Sequence, residues 1–230
     1  MSLMTDLKEL LLPRLCPVCG KLMMQTEDIL CAYCAIGLPR YRVVSIKDNL
    51  LLRMVWDRAD VKCATTLLAY NKHSPYHNLI TEFKYHGASD LAIRLGRWAA
   101  LEVKEHGFWE GADALVPVPL TWRKRWLRGY NQAEVLARGM SEVTGLPVLN
   151  LLRRTKNRTS QTKLKGEARI KNAEGIYKAI RIPDEWSGKH LVLVDDVMTT
   201  GSTLAACAKA LLDADPGMEV SILPLALARD

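Results

Sequence analysis

The chain has 230 residues, enough for one medium-sized domain with a small additional module. Hydrophobic residues make up 49% of it, yet it contains no run of about 18 apolar residues that could insert into a membrane. The N-terminus lacks a basic region followed by a long apolar run, so no signal peptide is predicted and the expected location is cytoplasmic.

Four cysteines lie close together near the N-terminus, in two C-x-x-C pairs: Cys16, Cys19, Cys31 and Cys34. Each pair places two thiolates on one turn, and two such turns can close around a tetrahedral Zn²⁺. Four protein ligands would leave no open position for catalysis. A disulfide pairing or a thioredoxin-like redox motif fits less well. The sequence predicts a structural zinc ribbon in a module of residues 1–45, followed by a main domain of residues 46–230.

The remaining chain alternates between predicted strands and helices. Helices are expected at 1–15, 75–86, 89–105, 131–143 and 202–213, and strands at 61–70, 114–120, 147–152, 175–179, 190–195 and 219–228. Pro117 and Pro119 indicate that the strand at 114–120 is short and ends in a shaped loop. This alternation is typical of an α/β domain with a parallel sheet flanked by helices.

Two basic segments account for the net charge of +7: residues 121–128 carry +4 and residues 153–171 carry +7, so the rest of the chain is acidic. Such segments usually face an anionic partner, although a solvated charged loop would also explain the second. In the first segment, Trp122 and Trp126 alternate with cations. That pattern fits single-stranded DNA, while burial of the indole rings is an equally good interpretation.

Residues 191–204 (LVLVDDVMTTGSTL) carry the most specific signal. An apolar strand delivers two carboxylates, and a hydroxyl-rich turn with one glycine then enters a helix. A helix N-terminus of this kind offers N–H groups and a positive dipole end to a phosphate. The carboxylates can accept hydrogen bonds from ribose hydroxyls and help to hold Mg²⁺. We predict a site for a phosphorylated ribose with Mg²⁺ at Asp195, Asp196, Val197, Met198, Thr199, Thr200, Gly201, Ser202 and Thr203.

This segment resembles the phosphoribosyl pyrophosphate (PRPP) motif of type I phosphoribosyltransferases, and the whole chain is similar to the ComF family. ComF proteins are associated with competence and join an N-terminal zinc finger to a phosphoribosyltransferase domain. Further residues that carry the resemblance are Leu79, Ile80, Phe83, Lys84, Tyr85, Gly87, Val116, Pro117, Arg125, Arg128, Gly129, Tyr130, Asn131, Gln132, Ala133, Gln161, Arg169 and Asn172.

The resemblance implies roles for these residues. Asp195 and Asp196 would bind the ribose hydroxyls, and the phosphate loop (residues 199–203) would bind the 5′-phosphate. The pyrophosphate loop, formed by Val118, Pro119 and Leu120, would occupy the pyrophosphate position of type I enzymes. Arg169 lies where those enzymes have a flap over the active site.

Two functions follow from the resemblance. The first is a protein that binds PRPP or a nucleotide and acts in natural competence, DNA uptake or nucleotide metabolism, with single-stranded DNA and competence-machinery proteins as partners. The alternative is an active Mg²⁺-dependent transferase of nucleobase salvage. Its catalytic residues would be the two acids and cations that stabilise departing pyrophosphate: Asp195, Asp196, Lys84, Arg125, Arg128 and Arg169. Val197 and Met198 weaken this alternative, because many type I enzymes carry an acid in that part of the loop.

Overall fold

The central feature of the fold is a parallel sheet. A computed structural model describes residues 13–71, 73–85, 89–155 and 175–229, and for residues 83–85 and 122–124 it describes the backbone only. The sheet has four parallel strands in the order β1-β6-β5-β2: β1 (Leu68–Asn71), β6 (Glu219–Arg229), β5 (His190–Met198) and β2 (Ala114–Pro117). A separate antiparallel pair consists of β3 (Leu152–Arg154) and β4 (Tyr177–Ala179). The predicted α/β class is confirmed.

Helices cover both faces of this sheet. Those among the described residues are α1 (Ala32–Ile36), α2 (Leu50–Arg53), α3 (His77–Tyr85), α4 (Ser89–Lys104), α5 (Trp122–Arg128), α6 (Gln132–Thr144) and α7 (Ser202–Ala214), with a short 3₁₀ helix at Asp184–Trp186. The central strands β5 and β6 are apolar on both faces, as burial between two helical layers requires. None of the described helices has the length and apolar character needed to cross a bilayer.

Two of the predicted strands differ from the observed elements. The strand expected at 61–70 is mostly wrong, since only 68–71 form β1 and Ala64 makes an isolated bridge to Ile222. Residues 147–152 are not a continuous strand either: Val148 bridges Leu115 before the chain turns away to pair with β4. Short apolar runs are buried equally well in irregular structure, so hydrophobicity alone could not locate the ends of these two strands. The helix expected at 1–15 lies largely outside the described residues.

Helices α4 and α6 pack closely together at one glycine of each helix. A Cβ added to Gly139 would lie 2.1 Å from the Ile93 carbonyl oxygen, and one added to Gly96 would lie 2.2 Å from the Leu136 carbonyl oxygen. Both distances are far shorter than van der Waals contact, so only glycine permits this approach of the two backbones. The close pairing fixes α6 against β2 and β5, and α6 begins beside the pyrophosphate loop.

The N-terminal residues pack directly onto the main sheet and its helices. The Tyr76 hydroxyl donates to the Cys34 carbonyl at 2.9 Å, and Arg94 forms a 3.0 Å ion pair with Asp28. Arg40 forms a 2.8 Å ion pair with Glu102. The residues after the cysteines also bond to β1, because the Ala69 N–H donates to the Pro39 carbonyl. Buried residues of the module therefore share one hydrophobic cluster with α3, α4 and α6.

Candidate functional site

The phosphate loop joins the carboxyl end of β5 to the N-terminus of α7. Gly201 has a φ of 73°, a left-handed conformation that favours glycine. A Cβ there would lie 2.8 Å from Val55 Cγ1 and 3.2 Å from the Met54 carbonyl oxygen. The Thr200 and Ser202 hydroxyls lie 2.8 Å apart. Hydroxyls gathered at the start of a 13-residue helix form a suitable environment for a phosphate, as the sequence predicts.

Asp195 and Asp196 lie within β5 rather than after it, because β5 continues to pair with β6 as far as Met198 and Leu227. Successive side chains of a strand point to opposite faces of the sheet. Accordingly, the two carboxylates influence different tyrosines. Burial raises the pKa of Tyr177 to about 12, with a contribution from the charge of Asp195, whereas burial and the charge of Asp196 raise the pKa of Tyr70. The strand therefore directs the two carboxylates to different sides, and their joint role at a ribose stays a prediction.

Arg58 contacts the phosphate loop, although no sequence pattern indicates this role. Its guanidinium donates to the Ser202 hydroxyl at 3.2 Å, to the Thr200 carbonyl at 3.1 Å, and to the Met54 carbonyl. The side chain is 25% exposed and also forms a 3.2 Å ion pair with the exposed Asp57, so this cation is held in place rather than freely solvated. Arg58 is 144 residues from Ser202 in sequence and belongs to no motif, so only the tertiary structure reveals the contact.

The segment that carries Arg58 is anchored by α2. The Asn49 side chain accepts hydrogen bonds from the Leu51 and Leu52 N–H groups, which caps this helix. Leu51 and Val55 are fully buried. Helix α2 therefore fixes the path of the chain that leads to Arg58.

A second cation comes from β3. Arg154 Nη1 donates to the Tyr177 hydroxyl at 3.2 Å, and the guanidinium lies 5.3 Å from the centre of the Tyr177 ring. The Thr203 side chain also hydrogen-bonds to Tyr177. Arg154 belongs to the second basic segment, although the sequence did not single it out. The small antiparallel sheet thus brings a positive charge beside the end of the phosphate loop.

The pyrophosphate loop begins beside β5. The Val118 N–H donates to the Val194 carbonyl at 2.9 Å, and the Val118 carbonyl accepts from Asn131 Nδ2 at 3.1 Å. Val194 immediately precedes Asp195, so the strand order brings together two segments that are far apart in sequence. Pro119 and Leu120 are half-buried.

The cations predicted to stabilise departing pyrophosphate lie in different surroundings. Arg128 is half-buried and donates to Gln132 Oε1 at 3.0 Å, whereas Arg125 is exposed on α5. Lys84 lies on α3, where its side chain is not described. Arg169, like Gln161 and Asn172, lies outside the described residues. Their catalytic roles remain predictions.

The four cysteines form one cluster that can hold a metal ion. Their sulfur atoms all lie within 4.8 Å of one another, and the Sγ atoms of Cys19 and Cys31 are 3.7 Å apart. Cys19 is exposed, and the other three are buried. Burial opposes ionisation of Cys16, but N–H groups of Cys31, Cys19 and Val18 outweigh it and lower the pKa of Cys16 to about 7. A set of four converging thiols suits a tetrahedral ion. The two remaining cysteines, Cys63 and Cys207, are buried in the core.

Residues 122–128 of the first basic segment form helix α5, which was not among the helices expected from the sequence. Trp126 is 80% exposed and Leu127 is 76% exposed, so burial as an explanation of Trp126 is wrong. Arg125 is exposed on the same helix. The Trp122 side chain is not described. This helix therefore presents apolar and cationic groups side by side to solvent.

Comparison with known proteins gives these features a context. Residues 127–226 match the family profile of the phosphoribosyl transferase domain. The chain is 31% identical to the DNA utilization protein YhgH of Escherichia coli over 203 residues, which cover 86% of this chain and 84% of that protein. It is 33% identical to competence protein F of Haemophilus influenzae over 142 residues, 60% of this chain and 62% of that protein. Competence protein ComFC of Bacillus subtilis is 27% identical, with 92% of this chain and 77% of that protein covered.

The parallel sheet and the profile match define a protein with a type I phosphoribosyltransferase-like domain. More specifically, the chain belongs to the ComF family of competence and DNA-utilization proteins. Among solved structures it is similar to the allosteric regulatory enzyme of purine biosynthesis, with 20% identity and a TM-score of 0.40 over 62% of this chain and 30% of that one. That overlap is too limited to inform the activity.

Proposed function

We propose that this protein binds PRPP or a nucleotide through its phosphoribosyl group and uses that site in DNA uptake or DNA handling. The observation that carries the proposal is the phosphate loop, in which a left-handed Gly201, two adjoining hydroxyls and the Arg58 guanidinium meet at the N-terminus of α7. These groups supply hydrogen-bond donors, a positive charge and a helix dipole to one anion. The names of the relatives support the DNA context.

The remainder of the ligand would extend along β5. Asp195 and Asp196 point to different sides of β5, but both lie near its carboxyl end. There they would accept hydrogen bonds from ribose hydroxyls and supply oxygen ligands for Mg²⁺, which neutralises part of a diphosphate's charge. The pyrophosphate loop, joined to Val194, would receive that diphosphate. No relative named above favours nucleobase salvage, so the proposal is for a ligand-binding site.

We also propose that the cysteine cluster holds a structural zinc ion. It would stabilise the module of residues 1–45 against the main domain of residues 46–230. Four thiols that must stay reduced to bind a metal suit the cytoplasm.

Arg58 provides the test of the phosphate site. We expect wild-type protein to bind ribose 5-phosphate, and Arg58→Gln to bind it about tenfold more weakly because a charged hydrogen-bond donor is lost from the loop. Isothermal titration calorimetry would measure both affinities. Arg53→Gln is the matched control, since Arg53 is an exposed partner of Asp48 on the same segment. Wild-type protein that binds neither ribose 5-phosphate nor PRPP would refute the proposal.

Helix α5 supports a second candidate function, the binding of single-stranded DNA. An exposed indole next to cations fits a mode in which the backbone meets charge and a base stacks on the ring. Trp126→Ala should weaken binding to a labelled single-stranded oligonucleotide about tenfold, as measured by fluorescence anisotropy. Trp56→Ala removes another exposed indole, 78% exposed, and serves as the control. An affinity that does not change with salt concentration would argue against this function.

A further inference from the structure

Two buried amide side chains open helix α6 beside the pyrophosphate loop. Asn131 is 7% exposed and Gln132 is 1% exposed. Asn131 is the N-cap residue of α6, yet its side chain makes no cap hydrogen bond. Polar side chains so completely buried need a reason, because an apolar residue would fill the same space without a desolvation penalty.

The partners of these side chains fix which way each amide group points. The Val118 carbonyl can only accept a hydrogen bond, so Asn131 must turn its Nδ2 toward that oxygen, 3.1 Å away. The Arg128 guanidinium can only donate, so Gln132 must turn its Oε1 toward Arg128, 3.0 Å away. The two amides therefore tie the pyrophosphate loop and α5 to the start of α6.

This arrangement leaves one atom of each amide unpaired. Among the described residues, Asn131 Oδ1 and Gln132 Nε2 are buried without a hydrogen-bond partner. Exchanging the oxygen and nitrogen of either amide would not satisfy these unpaired atoms, because the exchange would place two acceptors or two donors against each other. An unpaired buried donor is unfavourable in the free protein, and a partner that arrives with a ligand would relieve that cost.

The position of the unpaired donor indicates which ligand group that would be. Gln132 begins a 13-residue helix, whose N-terminus favours anions. Its neighbour Asn131 holds Val118, and Val118 is bonded to the residue that precedes Asp195. Gln132 thus directly follows the residue that holds the loop expected to meet a diphosphate.

We propose that Asn131 and Gln132 serve the binding of a diphosphate: Asn131 is a positioning residue that holds the pyrophosphate loop, and Gln132 donates its unpaired Nε2–H to a diphosphate oxygen when the ligand binds. This inference rests on the proposed function, since it presumes a phosphoribosyl ligand. It concerns only the part of that ligand that ribose 5-phosphate lacks. The pair would therefore set the preference for PRPP over ribose 5-phosphate.

Gln132→Glu is the sharpest test, because it keeps an oxygen that faces Arg128 and replaces the unpaired NH₂ by an acceptor, with one negative charge added. Calorimetric titration with Mg²⁺ should show unchanged affinity for ribose 5-phosphate and an affinity for PRPP reduced about tenfold. Asn131→Asp, which removes the donor to Val118, should have the same selective effect. Gln132→Met tests the result without an added charge, and Gln25→Met makes the same change at an exposed site in the N-terminal module.

The outcomes separate this inference from the proposed function. Wild-type protein that binds ribose 5-phosphate but shows no preference for PRPP would overturn the inference and leave the phosphate site intact. Gln132→Glu and Gln132→Met proteins that both keep the wild-type preference would also overturn it. If wild-type protein binds neither ligand, the proposed function fails, and the role of Gln132 fails with it.

Discussion

Replacing Cys34 with serine should release the metal and lower the free energy of unfolding by about 3 kcal/mol or more. Cys34 is 3% exposed and supplies one of the four converging sulfurs. Serine cannot offer a thiolate, so the remaining ligands would be left incomplete around the ion. The damage should extend beyond the module, because Cys34 belongs to the hydrophobic cluster shared with α3 and α4 and its carbonyl accepts from Tyr76.

Thermal unfolding and metal analysis would measure this effect. We expect about one zinc ion per wild-type chain and a melting temperature about 10 °C lower in the variant. Cys63→Ser makes the same exchange at a buried cysteine outside the cluster and should keep the metal. Wild-type protein purified without chelator that contains no metal would contradict the assignment of the cysteines to zinc.

Gly139→Ala should lower the free energy of unfolding by about 3 kcal/mol, although alanine is the better helix former. The added Cβ would lie 2.1 Å from the Ile93 carbonyl oxygen, a backbone atom that cannot swing aside as a flexible side chain could. Helices α4 and α6 would have to separate, which would also disturb the start of α6 beside the pyrophosphate loop.

Urea unfolding followed by circular dichroism would quantify this loss. Gly217→Ala is the control, because a Cβ there meets nothing closer than the Asp215 carboxylate at 3.3 Å. That variant should change the free energy of unfolding by less than about 1 kcal/mol. Equal stabilities of the Gly139→Ala and wild-type proteins would mean that the two helices are not packed as closely as described.

Features governed by local chemistry were predictable from the sequence. The apolar runs of β5 and β6 need cover on both faces, and this indicated a parallel sheet between helices. The C-x-x-C spacing predicted that the four cysteines would meet, which they do. The glycine of the phosphate loop predicted a tight turn, and Gly201 adopts a left-handed conformation there.

Features that depend on distant contacts were not predictable in the same way. Arg58 reaches the phosphate loop because the residues that follow α2 pack against Gly201. The separation of Asp195 and Asp196 onto opposite faces depends on how far β5 pairs with β6, since the same residues in a loop would be free to converge. The exposure of Trp126 depends on whether another element covers α5, and no pattern within residues 121–128 contains that information.

The contact between residues 39–41 and β1 has a consequence for the solubility of shortened chains. Strand β1 lies at the outer edge of the sheet, where unpaired N–H and C=O groups can recruit a strand of another molecule. Here Pro39 and Tyr41 bond to Ala69 and Leu67 and occupy that edge. A chain shortened to residues 46–230 would lose these hydrogen bonds and would expose the unpaired backbone groups of β1. Residues 39–41 would thus limit aggregation through this edge of the sheet.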